Sequence, residues 1–447
     1  MISVSGIRGK IPSGLNFENI IRFTRAFSAS IPSKKIVIGR DSRPSGQFFE
    51  SLVKGVLLGT GKDVISLGIT TTPTVKAVVN ASKSGGGIMI SASHNPIEWN
   101  AFKLIGKNGF FFNKEQNDLL MSFYERDELP EPLFKPGSQL EEASEIYFEL
   151  HLNSVLKRID EKQVRKRKFT VLVDAVNGGG SFAVPALLRR LGCTVIETNC
   201  RPDGSFPRPP EPTPSALKKT AILMKSCGAD IGFALDPDAD RLVILSPQKG
   251  AILEEYTLPL AIQSLSPYNF KQKNVVVNLS TSFVSASILE KYNKKLIRSK
   301  VGEANVVEEM IQSKAFFGGE GNGGVIDPEI NSFGRDSLSG IAHILNYLSR
   351  EKLTIDSALS KLPEIHMHKE AFPLGNINLV DGKSRLLESF PGYHLDERDG
   401  IHLESADSWV HIRPSNTEPI IRLIAEARTK KDLKNLLLSS KRAIGSL

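Results

Sequence analysis

The strongest chemical signal in this sequence is a set of three aspartates at alternate positions, Asp236, Asp238 and Asp240, followed by Arg241. They lie between two apolar segments typical of strands, so a curled turn can bring the carboxylates together. Carboxylates that converge in a cleft repel one another unless a cation lies between them. Oxygen ligands suit Mg²⁺. The aspartates therefore predict a site for one magnesium ion, and a solvated acidic turn is the alternative without chemistry.

A second signal is Ser93, which is followed by His94 and Asn95. The apolar run before it predicts a strand that ends at a tight loop, where the serine would be exposed. Backbone N–H groups and the imidazole of His94 could hold a phosphate there. A bare serine needs a base to act as a nucleophile, whereas a phosphoserine is already a donor. Because a nearby cation neutralises charge as a phosphoryl group moves, the two signals together predict phosphoryl transfer.

Two later loops suit a phosphorylated sugar. Residues 317–324 include five glycines, and Glu320 and Asn322 between them could bind sugar hydroxyls; a mobile linker would have a similar composition. Residues 413–419 form a polar turn before an apolar strand, and arginine forks with N–H donors suit a phosphate dianion. The candidate phosphate ligands are Arg413, Ser415, Asn416, Thr417 and Arg422.

Regular structure must position these loops, and the apolar pattern indicates how. Segments that begin at Lys35, Phe169 and Val275 each show an apolar strand, a polar turn, an amphipathic helix and a second strand. Such βαβ units imply parallel strands covered by helices. The C-terminal part instead indicates a hairpin and a helix from Lys430. We therefore predict three similar α/β domains and a smaller C-terminal α+β domain, at 1–152, 153–250, 251–363 and 364–447.

Composition limits the partners of the chain. Its 447 residues carry a formal charge of +8, and 40% are hydrophobic, as in globular proteins. No apolar run approaches the ~20 residues of a membrane span, and the N-terminus lacks the order of a signal peptide, so a cytoplasmic protein is expected. The basic residues do not cluster as in a nucleic-acid groove. An anionic small molecule is the expected partner, with no nucleic acid and no membrane.

In order along the chain, these segments resemble the motifs of the α-D-phosphohexomutase family, which includes phosphoglucomutases, phosphomannomutases and phosphoglucosamine mutases. The resemblance spans essentially the whole chain. The segments that carry it are residues 5–9, 39–43, 91–96, 236–241, 317–324 and 413–419. It implies three α/β domains with mixed sheets and a smaller fourth domain around a central cleft, with one loop from each domain.

The resemblance also implies roles for individual residues. The phosphoserine would be Ser93, which would bind Mg²⁺ together with Asp236, Asp238 and Asp240. The groups implied around it are Arg8, His94, Lys103 and Arg241, while Glu320 would bind the sugar and the 413–419 loop the distal phosphate. In the implied reaction, phosphoserine phosphorylates a hexose monophosphate, the hexose 1,6-bisphosphate turns round in the cleft, and the serine takes the other phosphate back.

The sequence departs from the family in the sugar loop, where Asn322 and Gly324 stand in place of a serine and a histidine of many bacterial members. That histidine is a candidate acid or base, so its role would pass to Lys103 or to another group, and Lys103 as general base is a hypothesis. Together with residues 208–214, this loop is most similar to the archaeal-type branch and favours a phosphoglucosamine mutase.

Several alternatives to this activity stay open. Glucose or mannose specificity, a phosphatase or bisphosphate synthase on the same scaffold, and a sugar-phosphate sensor without turnover are each compatible with the motifs. The presence of Ser93 and all three aspartates disfavours the sensor. A monomer or a homodimer is expected.

Overall fold

In the part of the chain that the structure describes, four β-sheets follow one another, of seven, five, four and five strands. The computed structural model describes residues 2–3, 6–126, 137–142, 144–265, 271–330, 332–373, 379–415 and 420–445. The first three sheets combine parallel and antiparallel pairs, and the fourth is antiparallel. None of the helices in these ranges has the length and apolar character needed to cross a membrane. The sheets and helices match the predicted fold class.

The first domain has the strand order β1-β2-β6-β5-β3-β4-β7. Its elements are β1 (Ile2–Ser3), β2 (Gly6–Lys10), α1 (Phe17–Ser30), β3 (Lys35–Arg40), α2 (Pro44–Gly59), β4 (Asp63–Ile69), α3 (Thr72–Ala81), β5 (Gly86–Ile90), β6 (Trp99–Gly106), α4 (Lys114–Tyr124) and β7 (Leu140–Glu142). Alternate residues of β3 face opposite layers: Ile36 and Ile38 pack with α1 and α2, and Val37 packs with α3. Because β3 and β5 are parallel neighbours, the loops after Arg40 and Ile90 share one edge.

The second domain has the strand order β12-β11-β10-β8-β9. Its elements are α5 (Ser144–Leu156), α6 (Glu161–Arg167), β8 (Thr170–Asp174), α7 (Gly180–Arg190), β9 (Thr194–Thr198), α8 (Lys218–Ser226), β10 (Ile231–Leu235), β11 (Leu242–Ser246) and β12 (Gly250–Ala251). The aspartate turn connects the antiparallel strands β10 and β11. The predicted domain boundaries at 152 and 250 fall inside α5 and β12, and the boundaries remain predictions.

The third domain has the strand order β14-β13-β15-β16. After a short 3₁₀ turn at Glu254–Tyr256, its elements are α9 (Thr257–Leu265), β13 (Asn274–Asn278), α10 (Val284–Lys291), β14 (Lys295–Ser299), α11 (Glu303–Gln312), β15 (Phe317–Glu320), β16 (Gly324–Ile326), α12 (Ser337–Arg350) and α13 (Ile355–Leu359). The described part of α12 is buried almost throughout and shares one large apolar core with residues of the second domain. This shared core joins the aspartate turn, which we also call the metal loop (236–241), and the glycine-rich loop, called the sugar loop (317–324), into one packed body.

The C-terminal domain is a five-stranded sheet in the order β17-β21-β20-β19-β18. Its elements are β17 (His366–Pro373), α14 (Leu379–Ser389), β18 (His394–Asp396), β19 (Ile401–Glu404), β20 (Ser408–Pro414), β21 (Ile420–Ala427) and α15 (Lys430–Ile444). The predicted hairpin is β20–β21, and the helix begins at Lys430 as expected. An apolar core of its own lies between the sheet and the two helices.

A backbone seam fixes the second domain against the first. The N–H of Thr72 in the first domain donates to the carbonyl of Asp238 in the second at 3.0 Å. Within the second domain, the N–H of Gly179 donates to the carbonyl of Pro237 at 2.7 Å and so lies beside the same turn. A Cβ on Gly179 would lie 2.1 Å from the carbonyl oxygen of Thr70, closer than real Cβ contacts. Glycine therefore allows two backbones to meet directly beside the aspartate turn.

We expect Gly179→Ala to destabilise the protein by roughly 1–3 kcal/mol, the range for overpacked sites, because backbone atoms of Thr70 must move. The measurement is the free energy of unfolding in denaturant. Gly55→Ala is the matched control, because a Cβ there meets nothing within 4 Å and alanine favours a helix at this exposed position of α2. A Gly179→Ala protein as stable as wild type would contradict the close seam.

Candidate active site

The aspartate turn brings its three carboxylates together in the interior. Asp236, Asp238 and Asp240 are all fully buried, and one oxygen from each lies within 4.8 Å of the others. The turn is tight because Ala239 adopts a left-handed backbone, with φ of 55°. It is held by the Oδ1 atom of Asp236, which accepts the N–H groups of Asp240 and Arg241 at 3.1 Å each. The predicted convergence is present.

Two of these carboxylates keep an oxygen available for a cation. The Oδ2 atom of Asp238 accepts the Thr72 hydroxyl and the Lys103 ammonium, the latter at 2.5 Å. The Oδ2 atom of Asp240 accepts Nη2 of Arg335 at 2.7 Å. The Oδ1 atoms of both aspartates are buried and have no hydrogen-bond partner among the described residues. Buried oxygens of this kind need a partner, so the residues fit a divalent metal ion.

The electrostatics of the turn show the same need. Burial, with Asp240 and Asp238 adding to it, raises the pKa of Asp236 well above its usual range. Burial also opposes ionisation of Asp240, but Arg335 and Lys103 outweigh it and hold the pKa of Asp240 below its usual range. The ionised form of Asp236 is thus disfavoured, mainly because the carboxyl is buried. A bound cation would favour the ionised form of Asp236.

Ser93 lies against this turn. Its hydroxyl donates to Oδ2 of Asp236 at 2.7 Å, and its N–H donates to Oγ of Ser91 at 2.9 Å. The residue has a left-handed backbone, with φ of 50°. The expectation of an exposed serine is wrong, because Ser93 is only 3% exposed. The metal loop of the second domain encloses it, and the spacing of residues along the first domain contains no information about that contact.

Arg43 holds the serine loop and was not among the predicted site residues. Its side chain is fully buried and pairs with Asp41, whose Oδ2 atom lies 3.1 Å from Nε. The guanidinium donates to four loop carbonyls, those of Ser93, Asn95, Pro96 and Trp99. Arg43 begins the turn into α2, after the Gly-Arg-Asp-Ser segment. That segment was noted in the sequence, but nothing in it indicated which backbone the arginine would bind.

The structure shows where three residues predicted to lie near Ser93 make their contacts. Arg8 donates to Oδ1 of Asn95 at 2.9 Å, and Arg241 pairs with Glu211 at 2.8 Å. The charge of Arg241, burial and the charge of Arg8 together lower the pKa of His94 well below its ordinary value. His94 is therefore a neutral imidazole, and its Nδ1 atom is buried without a partner among the described residues. Such a ring of donors suits a phosphoryl dianion.

In the sugar loop, Glu320 is the last residue of β15, and only 3% of its surface is exposed. Its Oε1 atom accepts the Asn278 amide at 2.7 Å and the Gly302 N–H at 3.1 Å. Its Oε2 atom pairs with Nη1 of Arg335 at 3.0 Å, and the amide of Asn322 lies 3.4 Å away. Asn278 and Arg335 were not predicted. Asn278 is the last residue of the apolar strand β13, a position that could have suggested it, whereas Arg335 lies outside every motif.

The C-terminal phosphate loop is described only in part. Arg413 and Arg422 are directly opposite each other on β20 and β21, and Ser415 follows the end of β20. The remaining predicted ligands, Asn416 and Thr417, lie outside the described residues. Arg413 has its Nε atom 3.1 Å from Oδ2 of Asp399, which also accepts the N–H of Val301 in the third domain. Asp399 therefore connects this loop to the sugar-binding domain.

Four family models match the chain in sequence. They describe the alpha/beta/alpha domains I, II and III and the C-terminal domain of phosphoglucomutase/phosphomannomutase, and they match residues 2–131, 149–249, 254–365 and 374–439. The chain belongs to the phosphoglucomutase/phosphomannomutase family. This confirms the predicted family, fold class and enzyme class, an isomerase of the phosphohexomutase type.

Curated relatives extend over the whole chain. A phosphoglucomutase/phosphomannomutase of Thermococcus kodakarensis is 32% identical over 439 residues, covering 97% of this chain and 95% of the relative. A phosphoglucosamine mutase of Methanocaldococcus jannaschii is 31% identical over 449 residues, covering 98% and 96%. A crystal structure of a family protein from Burkholderia thailandensis superposes with a TM-score of 0.86 at 23% identity, over 100% of this chain and 97% of that one, and supports the fold.

Two buried histidines of the C-terminal domain make a pH dependence testable. Burial, with His411 adding to it, lowers the pKa of His402 to about 2, and burial lowers the pKa of His411 to about 4. His411 accepts or donates at both nitrogens, with Oγ of Ser280 at 2.8 Å and the Asp399 carbonyl at 2.6 Å. This histidine pair therefore lies where the fourth domain meets the third.

Below the ordinary histidine pKa of about 6.5, the unfolded chain binds protons that the folded chain excludes. The free energy of unfolding therefore has its full value above that pKa. It decreases as the pH falls below it, by up to about 1.4 kcal/mol per pH unit for each histidine. The midpoint of thermal unfolding measured from pH 7.5 to 5 checks this. His402→Gln should flatten the dependence and the exposed control His368→Gln should not; equal slopes in all three proteins would contradict it.

Proposed function

We propose that this protein is a magnesium-dependent phosphohexomutase that interconverts the 6- and 1-phosphates of a hexose or hexosamine, with Ser93 carrying the phosphoryl group. The observation that carries the proposal is the contact of the Ser93 hydroxyl with Asp236, 2.7 Å away, in a cluster of three buried aspartates. A serine beside such a cluster suits phosphoryl transfer. We propose the cytoplasm as its location and a monomer or homodimer as its state.

In the first half-reaction, the bond between phosphorus and the Ser93 oxygen breaks and a bond to the free hydroxyl of the sugar monophosphate forms. A Mg²⁺ ion held by Ser93, Asp236, Asp238 and Asp240 would neutralise charge on the moving group. Arg8 and Arg241 add fixed positive charge, and neutral His94 donates a hydrogen bond without competing for a proton. The product is a hexose 1,6-bisphosphate.

In the second half-reaction the bisphosphate turns round and Ser93 accepts its other phosphoryl group. Glu320 and Asn322 bind sugar hydroxyls in both orientations. The phosphate that is not transferred is bound by the C-terminal loop, through Arg413, Ser415, Asn416, Thr417 and Arg422. Because binding at the distal phosphate keeps the intermediate in place, Ser93 can exchange a phosphoryl group with either end of the sugar.

The proton of the sugar hydroxyl needs an acceptor, and Lys103 is the predicted one. Burial opposes the charge of Lys103, but Asp238 and Asp240 outweigh it and raise its pKa. An ammonium group held in this way acts as an acid or a fixed charge more readily than as a base. A pH–rate profile unchanged in Lys103→Met would remove Lys103 from the proton transfer altogether.

Sugar specificity is proposed from the relatives. Several archaeal relatives that match nearly the whole chain are named phosphoglucosamine mutases, among them the protein of Methanocaldococcus jannaschii. A relative from Sulfurisphaera tokodaii is named a phosphoglucosamine/phosphogalactosamine mutase. We therefore propose glucosamine phosphate as the preferred substrate. Glucose or mannose phosphate is the second candidate, since the Thermococcus kodakarensis relative is a phosphoglucomutase/phosphomannomutase.

Phosphorus NMR tests the reaction directly. The protein would be incubated with Mg²⁺, a trace of glucose 1,6-bisphosphate and, separately, glucosamine 6-phosphate, glucose 1-phosphate and mannose 1-phosphate. Interconversion of 1- and 6-phosphates is the expected result, with glucosamine 6-phosphate the fastest. Release of inorganic phosphate alone would favour a phosphatase, and unchanged spectra from phosphorylated, Mg²⁺-loaded protein would favour a sensor.

Ser93→Ala should abolish turnover and remove the covalent phosphate, because among the described residues Ser93 alone donates a hydroxyl hydrogen bond to Asp236. Intact-protein mass spectrometry after incubation with the bisphosphate measures the phosphorylation, and NMR measures the turnover. The exposed Ser360→Ala is the control and should behave as wild type. Phosphorylation and turnover that persist in Ser93→Ala would exclude the proposed mechanism.

A further inference from the structure

Arg335 lies between the metal loop and the sugar loop. Its guanidinium pairs with Asp240 at 2.7 Å, with Glu320 at 3.0 Å and with Glu303 at 3.1 Å. The three carboxylates come from the aspartate turn, the end of β15 and the start of α11. The Arg335 side chain is only 11% exposed. One buried cation therefore contacts a candidate metal ligand and the candidate sugar-binding carboxylate at the same time.

The geometry depends on arginine rather than on positive charge alone. A guanidinium is a planar fork with five N–H donors, and here Nη2, Nη1 and Nε each meet a different carboxylate. A lysine offers a single nitrogen on a flexible stem and cannot reach all three. Burial opposes the charge of Arg335, but Asp240, Glu320 and Glu303 outweigh it and raise its pKa, so the fork is always charged.

Glu303 carries the same network into the first domain. Its Oε1 atom pairs with the ammonium of Lys76, which is fully buried in α3. The same ammonium lies 3.8 Å from the centre of the Phe111 ring. Through Arg335, the loops of the second and third domains are thus tied to the helix that follows β4 in the phosphoserine domain.

Gly324 makes room for the arginine stem. A Cβ on this residue would lie 2.3 Å from Cδ and 2.7 Å from Cγ of Arg335. The backbone of Gly324 is outside the left-handed region, so the conformation does not require glycine and the space does. Because all three guanidinium nitrogens of Arg335 form ion pairs, its aliphatic stem cannot move aside without breaking them.

We propose that Arg335 is a positioning residue of the mutase reaction, which orients Glu320 for the sugar hydroxyls and Asp240 for the metal ion, and that Gly324 is required because it leaves space for the Arg335 stem. The inference rests on the proposed function and deepens it. The Oδ2 atom of Asp240 is engaged by Arg335. Its Oδ1 atom, 4.0 Å from Nε of Arg241, accepts no hydrogen bond from the described residues and remains available to a cation. Sugar binding and metal binding are consequently set by one side chain.

The test compares Arg335→Lys, which keeps the charge but not the fork, with Gly324→Ala, which displaces the stem. Three quantities are measured: the dissociation constant of Mg²⁺ by calorimetry on protein without substrate, the KM and kcat for the sugar phosphate, and the midpoint of thermal unfolding. We expect both variants to weaken Mg²⁺ binding and to raise KM, each about tenfold, which corresponds to the loss of about 1.4 kcal/mol.

A double variant separates the space from the charge. In an Arg335→Ala background the stem is gone, so Gly324→Ala should add no further loss, whereas two independent effects would add. Arg350→Lys is the matched control, because Arg350 also has three partners, Ser264, Gln263 and Glu351, at the other end of α12. It should leave KM and Mg²⁺ binding unchanged.

A purely structural role for Arg335 predicts a different result, in which the unfolding midpoint falls while the Mg²⁺ dissociation constant and KM stay at wild-type values. That result, or additive losses in the double variant, would overturn the proposal. Failure of the proposed function is distinguishable, because wild-type protein would then not interconvert sugar phosphates at all. The calorimetric comparison of Mg²⁺ binding tests Arg335 in that case as well.

Discussion

Three aspartates buried in one turn repel one another, and much of the surrounding structure compensates that repulsion. Backbone N–H groups donate to one oxygen of Asp236. Lys103 donates to one oxygen of Asp238, and Arg335 donates to one oxygen of Asp240. The oxygens left over are the ones a metal ion would bind. Because uncompensated charge in the interior is strongly unfavourable, neither cation can be removed without altering the site.

The same constraint explains why the site needs more than one domain. Lys103 lies on β6 of the first domain, and Arg335 lies beside α12 of the third, so each neighbour of the aspartate turn supplies one of its cations. The close backbone seam beside Gly179 keeps the first domain at the distance that Lys103 and Ser93 require. Arg43 stabilises the conformation of the serine loop by donating a hydrogen bond to the Ser93 carbonyl. Position and charge are thus provided by the same contacts.

The fourth domain joins this body through apolar and polar contacts together. It has an apolar core of its own, but its Trp409 also belongs to the large core of the second and third domains. Polar contacts at Asp399 and His411 connect the region around β20 to the third domain. Glu426 adds to this junction through the N–H of Phe283. The fourth domain is therefore attached to the third by buried apolar side chains as well as by these hydrogen bonds.

The fold class could be predicted from the sequence, because a strand or helix is encoded in local periodicity. Ser93 and the three aspartates could be named as candidates, because they are grouped in short motifs. Tertiary structure alone decided the contacts between motifs. Ser93 is buried by a residue 143 positions away, and Arg335 reaches Asp240 across 95 positions. Neither contact leaves a local pattern in the sequence, because a long-range contact depends on how separate domains pack and not on the spacing of neighbours in the chain.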